Sequence, residues 1–133
     1  MLLRCRGALK LSQTMDADAV RELIERYNAA WNAQDLDTIH ELHDPDIVFH
    51  NYTVDERAEG AEAVREHIAD IFRNNPTLSF TTRSLRVGDD FAVCEWTAST
   101  DSKEWDGVDV FPLRNGKIAR KDVYSASHRA RER

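Results

Sequence analysis

Between Asp16 and Asn32 the apolar residues Val20, Leu23, Ile24, Tyr27, Ala30 and Trp31 recur at spacings of three and four. That is the stripe of an amphipathic helix, with Asp16 or Asp18 placed to cap its start. A second, short helix is predicted over Leu36, Ile39, His40 and Leu42, capped by Asp35 and stopped by Pro45. Ile47-Val48-Phe49-His50-Asn51 reads as a strand, and Gly60 then breaks the chain. Ala61 to Asn74 is helical again through Val64, His67, Ile68, Ile71 and Phe72, until Asn74-Asn75-Pro76 ends it. From there the period changes from 3.6 to 2. Four long strands follow, Leu78 to Val87, Phe91 to Thr100, Trp105 to Leu113 and Lys117 to Ser127. Gly88-Asp89-Asp90, Asp101-Ser102-Lys103 and Asn115-Gly116 are the turns, the last a strong two-residue hairpin signal.

This order, three helices interleaved with one strand and then a four-stranded meander, predicts an α+β fold. A curved antiparallel sheet carries its helices on one face. The composition agrees: 133 residues, 41% hydrophobic and 32% charged, with 5 Gly and 3 Pro, make one ordinary globular domain and exclude disorder and collagen. The net charge of −6 excludes a broad nucleic-acid footprint, which needs clustered Lys and Arg. The charge is uneven, however. Positions 1–14 carry Arg4, Arg6 and Lys10 and no acid, which leaves −9 for the remainder. Residues 1–14 are expected to be a disordered extension or a mis-called start, with Met15 the natural beginning of a single domain over 15–127. His128 to Arg133 is expected to be a frayed, solvated basic tail.

No stretch approaches the ~20 apolar residues of a membrane span, and no secretory signal is evident, so membrane partners are not expected and the chain is read as cytoplasmic. Cys5 and Cys94 form neither a redox pair nor a zinc pattern and are read as reduced thiols. The Asn51-Tyr52-Thr53 sequon is read as chance. His40, His43, Asp44, Asp46 and His50 form a dense run that tempts a metal reading. Pro45 interrupts it and His40 and His43 end a predicted surface helix, so a solvated helix end is expected, with no metal and no cofactor.

The order of elements, opened by Arg26-Tyr27-Asn28-Ala29-Ala30-Trp31-Asn32-Ala33-Gln34-Asp35 and closed by Val108-Asp109-Val110-Phe111-Pro112-Leu113-Arg114-Asn115-Gly116-Lys117-Ile118, resembles the nuclear-transport-factor-2-like superfamily. Its SnoaL-like and ketosteroid-isomerase-like branch is the nearest. The resemblance covers about positions 16–127 and implies a cone-shaped curved sheet on three helices, a cystatin-like α+β barrel. The resemblance also implies a small apolar ligand in the mouth of that cone and a homodimer through the outer sheet face. It further implies a first-helix tyrosine at Tyr27, a general-base position at Asn51 and a protonated aspartate at Asp109.

Strand alternation puts Asp109 on one face with Phe111 and Leu113, an apolar setting that raises a carboxyl pKa and suits an acid donating to a developing oxyanion. The alternative is an Asp109 paired at the surface with Arg114 or Lys117. Tyr27 lies on the apolar stripe beside Trp31 and is read either as Asp109's partner or as a core tyrosine. Asparagine cannot accept and carry a proton, so His67, inward on the third helix, is the candidate general base; a hydrogen-bonded core histidine is the alternative. Asn51, Trp31, Trp96, Phe111 and Val123 are the expected ligand contacts. A tight hairpin at Ser102-Lys103 places Trp96 beside Asp109, whereas a three-residue turn would bring in Glu95 instead. Asp122, the position an epoxide hydrolase would need, falls on the parity opposite Val123. The expected function is a cofactor-independent isomerase, dehydratase or cyclase acting on a mostly apolar carbonyl compound. The rival is a non-catalytic ligand-binding or dimerising accessory domain.

Overall fold

The computed structural model describes residues 15–133. The expectation for positions 1–14, and Cys5 with it, lies outside the described residues. Helix α1 (Ala17–Ala33) is capped by the Asp16 carboxylate, which accepts from Ala19 N at 2.8 Å. Gln34 ends it in the left-handed region with φ of 54°. Asp35 at once caps α2 (Leu36–Leu42), accepting from Thr38 N and Thr38 Oγ1. Strand β1 (His43–Asn51) and the short β2 (Glu56–Glu59) precede α3 (Ala61–Asn74). The meander is β3 (Ser79–Val87), β4 (Phe91–Ser99), β5 (Lys103–Arg114) and β6 (Lys117–Ser125). A 3₁₀ turn (Ser127–Arg129) then leads into β7 (Arg131–Glu132).

Among the described residues these strands make one open sheet in the order β2-β1-β6-β5-β4-β3, with β7 added beside β5. Pairing is antiparallel except for β1 on β6, which run parallel across a register shift between His43 and Val48. The three helices cover one face. Their buried stripes, Val20, Ile24, Tyr27 and Trp31 from α1 and Val64, Ile68 and Phe72 from α3, meet Ile47, Phe49, Ala92, Cys94, Phe111, Ile118 and Val123 of the sheet in one core.

The Asn115-Gly116 hairpin holds as predicted, whereas the β4–β5 turn falls at Asp101-Ser102, one residue before Ser102-Lys103, so Trp96 keeps its inward face but lies opposite Gly107 and not Asp109. Asn115 and Gly116 both take positive φ, 54° and 75°, the two-residue turn whose twist suits the flanking strands. At the β4–β5 turn Thr100 N donates to Lys103 O at 2.8 Å around Asp101-Ser102. This tight loop sets Cys94 opposite Asp109 and Trp96 opposite Gly107. Trp96 therefore faces the helices, and Glu95 faces out, bonded to Ser84 and Arg86.

Two expectations are corrected. His40 does lie in the last turn of the helix, but His43 does not end it: His43 opens β1 with Asp44, and the two are 3% and 5% exposed. The strand begins ahead of Pro45 because His43 already pairs with Ile118 of β6, and Asp44 is held by Arg114 at 2.8 Å. Nor is the C-terminal segment frayed. Strand β6 stops at Ser125, opposite Gly107, so the first residues of β5 have a free edge, and β7 fills it with Glu132 against Lys103 and Arg131 against Glu104. Arg131 also bridges to the Glu104 carboxylate at 3.0 Å.

Candidate functional site

The helices and the concave sheet face enclose a cavity of about 230 Å³. Its walls are Trp31 from α1, Phe49 and Asn51 from β1, Ile71 from α3 and Asn75 just after it, Leu78 and Phe80 around the start of β3, Trp96 from β4, Trp105 and Asp109 from β5, and Lys121, Val123 and Ser125 from β6. Val54, Glu56 and Ser127 complete the lining. A compartment of about 20 Å³ is lined by several of the same residues, Trp31, Phe80, Trp96, Asp109 and Lys121, together with Asn28, Thr82 and Cys94.

The chemistry is concentrated in two side chains. Asp109, inward on β5 by alternation with Phe111, is 5% exposed. Lys121 reaches it from β6, Nζ to Oδ2 at 2.9 Å, and is itself 6% exposed. The ammonium lies over four aromatic rings, 4.6 Å from the centre of Trp31, 5.1 Å from Phe111, 5.4 Å from Tyr27 and 5.7 Å from Phe49. A buried lysine is tolerable here because a carboxylate and ring faces replace its water. Asp109 Oδ1, Trp31 Nε1 and Trp96 Nε1 are buried and have no hydrogen-bond partner.

The expected residues divide between cavity and core. Asp109, Trp31, Trp96, Asn51 and Val123 all line the cavity. Phe111 and Tyr27 lie behind it, fully buried and packed edge to face at 5.6 Å. The Tyr27 hydroxyl is hydrogen-bonded to His43 Nε2 at 2.8 Å. Burial pushes the phenol pKa well above its ordinary value, and the Asp109 charge acts in the same direction. The same burial, with the Lys121 cation beside it, pulls His43 from 6.5 down to about 3. Tyr27 thus braces the site through its ring while its hydroxyl serves His43.

His67 is not brought to Asp109. It packs edge to face on Phe49 at 5.0 Å and lies 4.0 Å from Glu56, outside the cavity lining. Asn51 spends its side-chain oxygen on Thr53 N at 3.1 Å. Asp122 pairs with Arg120 at 2.8 Å, on the β6 face opposite Lys121 and Val123. Among the described residues no cluster of His, Cys, Asp and Glu is arranged to hold a metal ion. No helix there is long and apolar enough to cross a membrane.

Lys121 and His43 are the buried polar residues of this region that sequence reasoning missed. Lys121 shares its parity with Val123, already placed inward, so alternation alone was a signal for it. His43 offered none, because its burial depends on where β1 joins β6.

The backbone that holds this site is a recurrent one. It superposes on a ketosteroid isomerase-like protein from Kribbella flavida (TM-score 0.75, 16% identity, 85% of this chain and 82% of that one). A SnoaL-like polyketide cyclase-like protein from Jannaschia is equally similar (TM-score 0.74, 19% identity, 83% and 87%). So is a de novo designed protein with a curved β-sheet (TM-score 0.73, 18% identity, 86% and 90%). At these identities the likeness shows the fold alone, and a designed member illustrates that the fold does not dictate chemistry. No curated protein matches the sequence significantly. The SnoaL-like domain model, however, matches residues 24–121, from the buried stripe of α1 to Lys121 itself. With its three helices over an open curved sheet, the chain belongs to the SnoaL-like domain family of the nuclear-transport-factor-2-like superfamily.

Proposed function

We propose that this chain is a small acid–base enzyme acting on a mostly apolar, carbonyl-containing molecule, with chemistry of the isomerase, dehydratase or cyclase kind. The observation that carries the reading is the Asp109–Lys121 pair, buried on the wall of an apolar cavity with one carboxylate oxygen unpartnered. Lys121 has three N–H bonds and gives one to Asp109, and the indoles of Trp31 and Trp96 add unpartnered donors. Donors exceed acceptors, which is what a developing enolate oxygen requires. Asp109 accepts from Lys121 and so takes the role of base in place of the donating acid expected from the sequence: its Oδ1 takes a proton from the carbon beside the carbonyl, and the electron pair moves onto the carbonyl oxygen. The proton then returns elsewhere, a leaving group departs, or a new carbon–carbon bond closes. A positioned base contributes roughly 10²–10⁴-fold and a pre-set donor roughly 10²–10³-fold. The cavity is slightly below the usual range of about 300–1,000 Å³, which favours a ligand of one or two rings.

The rival is a binding module of the same fold, and the engagement of Asn51 with Thr53 favours it, since the usual base position offers no base. Deuterium exchange at the methyl group of acetophenone, followed by NMR, separates the two. The enzyme reading expects exchange that saturates with acetophenone and is lost in a folded Asp109→Asn variant. Saturable binding without accelerated exchange replaces it with the binding module. A homodimer through the outer sheet face belongs to the same proposal: Val108 and Val110 are half-buried there and Phe91 and Tyr124 exposed. A monomer by sedimentation removes that part.

A further inference from the structure

We propose that Lys121 is a covalent catalyst whose amine condenses with the ligand's carbonyl to form an imine; this rests on the reading of the cavity as a carbonyl site. Lysines keep their charged ends in water as a rule, and Lys103 and Lys117 do so here. Lys121 instead is buried and is one of the residues lining a cavity able to hold a ligand. A lysine becomes a nucleophile toward carbonyls when an adjacent base can take its proton, and Asp109 Oδ2 is that base at 2.9 Å.

Each requirement of the condensation has a group in place. Asp109 Oδ2, at 2.9 Å, receives one proton from the ammonium and frees the electron pair on Nζ. Nitrogen attacks the carbonyl carbon, a C–N bond forms, and a proton passes from nitrogen to oxygen to give the carbinolamine. Asp109 then returns its proton to that hydroxyl, the C–O bond breaks, and water leaves. The balance is ketone or aldehyde plus ammonium giving protonated imine plus water, with nothing oxidised or reduced.

The product suits the site as well as the reactant does. A protonated imine carries the same single charge as the ammonium, so the Asp109 pairing and the faces of Trp31, Phe111, Tyr27 and Phe49 stabilise it without rearrangement. The compartment of about 20 Å³ beside the pair, with Asn28, Thr82, Asp109 and Lys121 in its walls, is large enough for the one water released or later consumed, for which ~10–15 Å³ suffices.

The test is reductive trapping of the full chain with benzaldehyde and sodium cyanoborohydride, read by peptide mass mapping, with tryptophan fluorescence reporting benzaldehyde binding in the absence of reductant. Lys121 is expected to be labelled at least about tenfold faster than Lys103 or Lys117, because the cavity presents the aldehyde to it. The Lys121→Arg variant is expected to lose the fast adduct; should that variant fail to fold, the site-resolved map of the native chain decides. Lys121 labelling no faster than Lys103 and Lys117, while benzaldehyde still quenches saturably, overturns the imine and leaves the carbonyl site standing. Neither binding nor labelling overturns both.

Discussion

Lys121 and Asp109 are each other's charge partner inside the protein: Nζ and Oδ2 are 2.9 Å apart, and the two side chains are 8% and 7% exposed. A pair this deep is costly to break and cheap to replace. The single variants Lys121→Met and Asp109→Leu each leave a buried charge without its counterpart, at a cost of about 3–5 kcal/mol. The double variant is expected to regain most of that loss. Urea titration of the three proteins measures the difference, and a double variant as unstable as either single one contradicts the coupling.

His43 makes stability depend on pH in a defined direction. The folded protein holds it neutral down to about pH 3, while the unfolded chain protonates it near 6.5. Between those values the unfolded state binds the extra proton, so stability is complete above about 6.5 and falls as the pH drops, by up to about 1.4 kcal/mol per unit. His43→Gln is expected to remove this part of the slope between pH 6.5 and 4 in acid-titrated denaturation curves. A variant curve parallel to the native one would contradict the assignment.

Tyr27→Phe separates bracing from chemistry. The ring packing on Phe111 survives and His43 Nε2 loses its buried partner, a loss of about 1–3 kcal/mol. Carbonyl chemistry in the cavity is expected to change by no more than a few-fold, because the hydroxyl is engaged behind the wall. A drop of roughly 10²-fold or more in acetophenone exchange would instead make Tyr27 an oxyanion donor.

Gly107 is where the backbone makes room for an indole. A Cβ there would overlap Trp96 Cη2 and Cζ2 of the indole. Gly107→Ala is therefore expected to displace Trp96, lowering stability by about 1–3 kcal/mol and weakening benzaldehyde binding in the fluorescence titration. Unchanged binding would show that Trp96 does not shape the cavity.

Much of this was legible in the sequence where local rules decide. The stripe of α1 and the Asn115-Gly116 turn are local patterns, and alternation placed Asp109 inward beside Phe111. The register of β4 on β5 hung on single residues of loop length: the turn at Asp101-Ser102 kept Trp96 on the inner face as expected but set Cys94 opposite Asp109 in its place. Alternation also turned Lys121 inward with Val123, but a charged side chain reads as solvated until its counter-charge on a neighbouring strand is known. His43 and β7 were illegible for a different reason. Each depends on where another strand ends or joins, and such pairing between distant segments leaves no periodic trace in the chain.

The docking of β7 bears on how this protein should be handled. Ser127 is part of the cavity wall, and Arg131 is tied to the strand that carries Trp105. A truncation after Ser125, tempting because the helices and the long strands would all be kept, would open the ligand cavity at one side and release the start of β5. Ligand screens run on protein trimmed at that point would therefore sample an altered entrance, and failure to bind there would say little about the untrimmed chain.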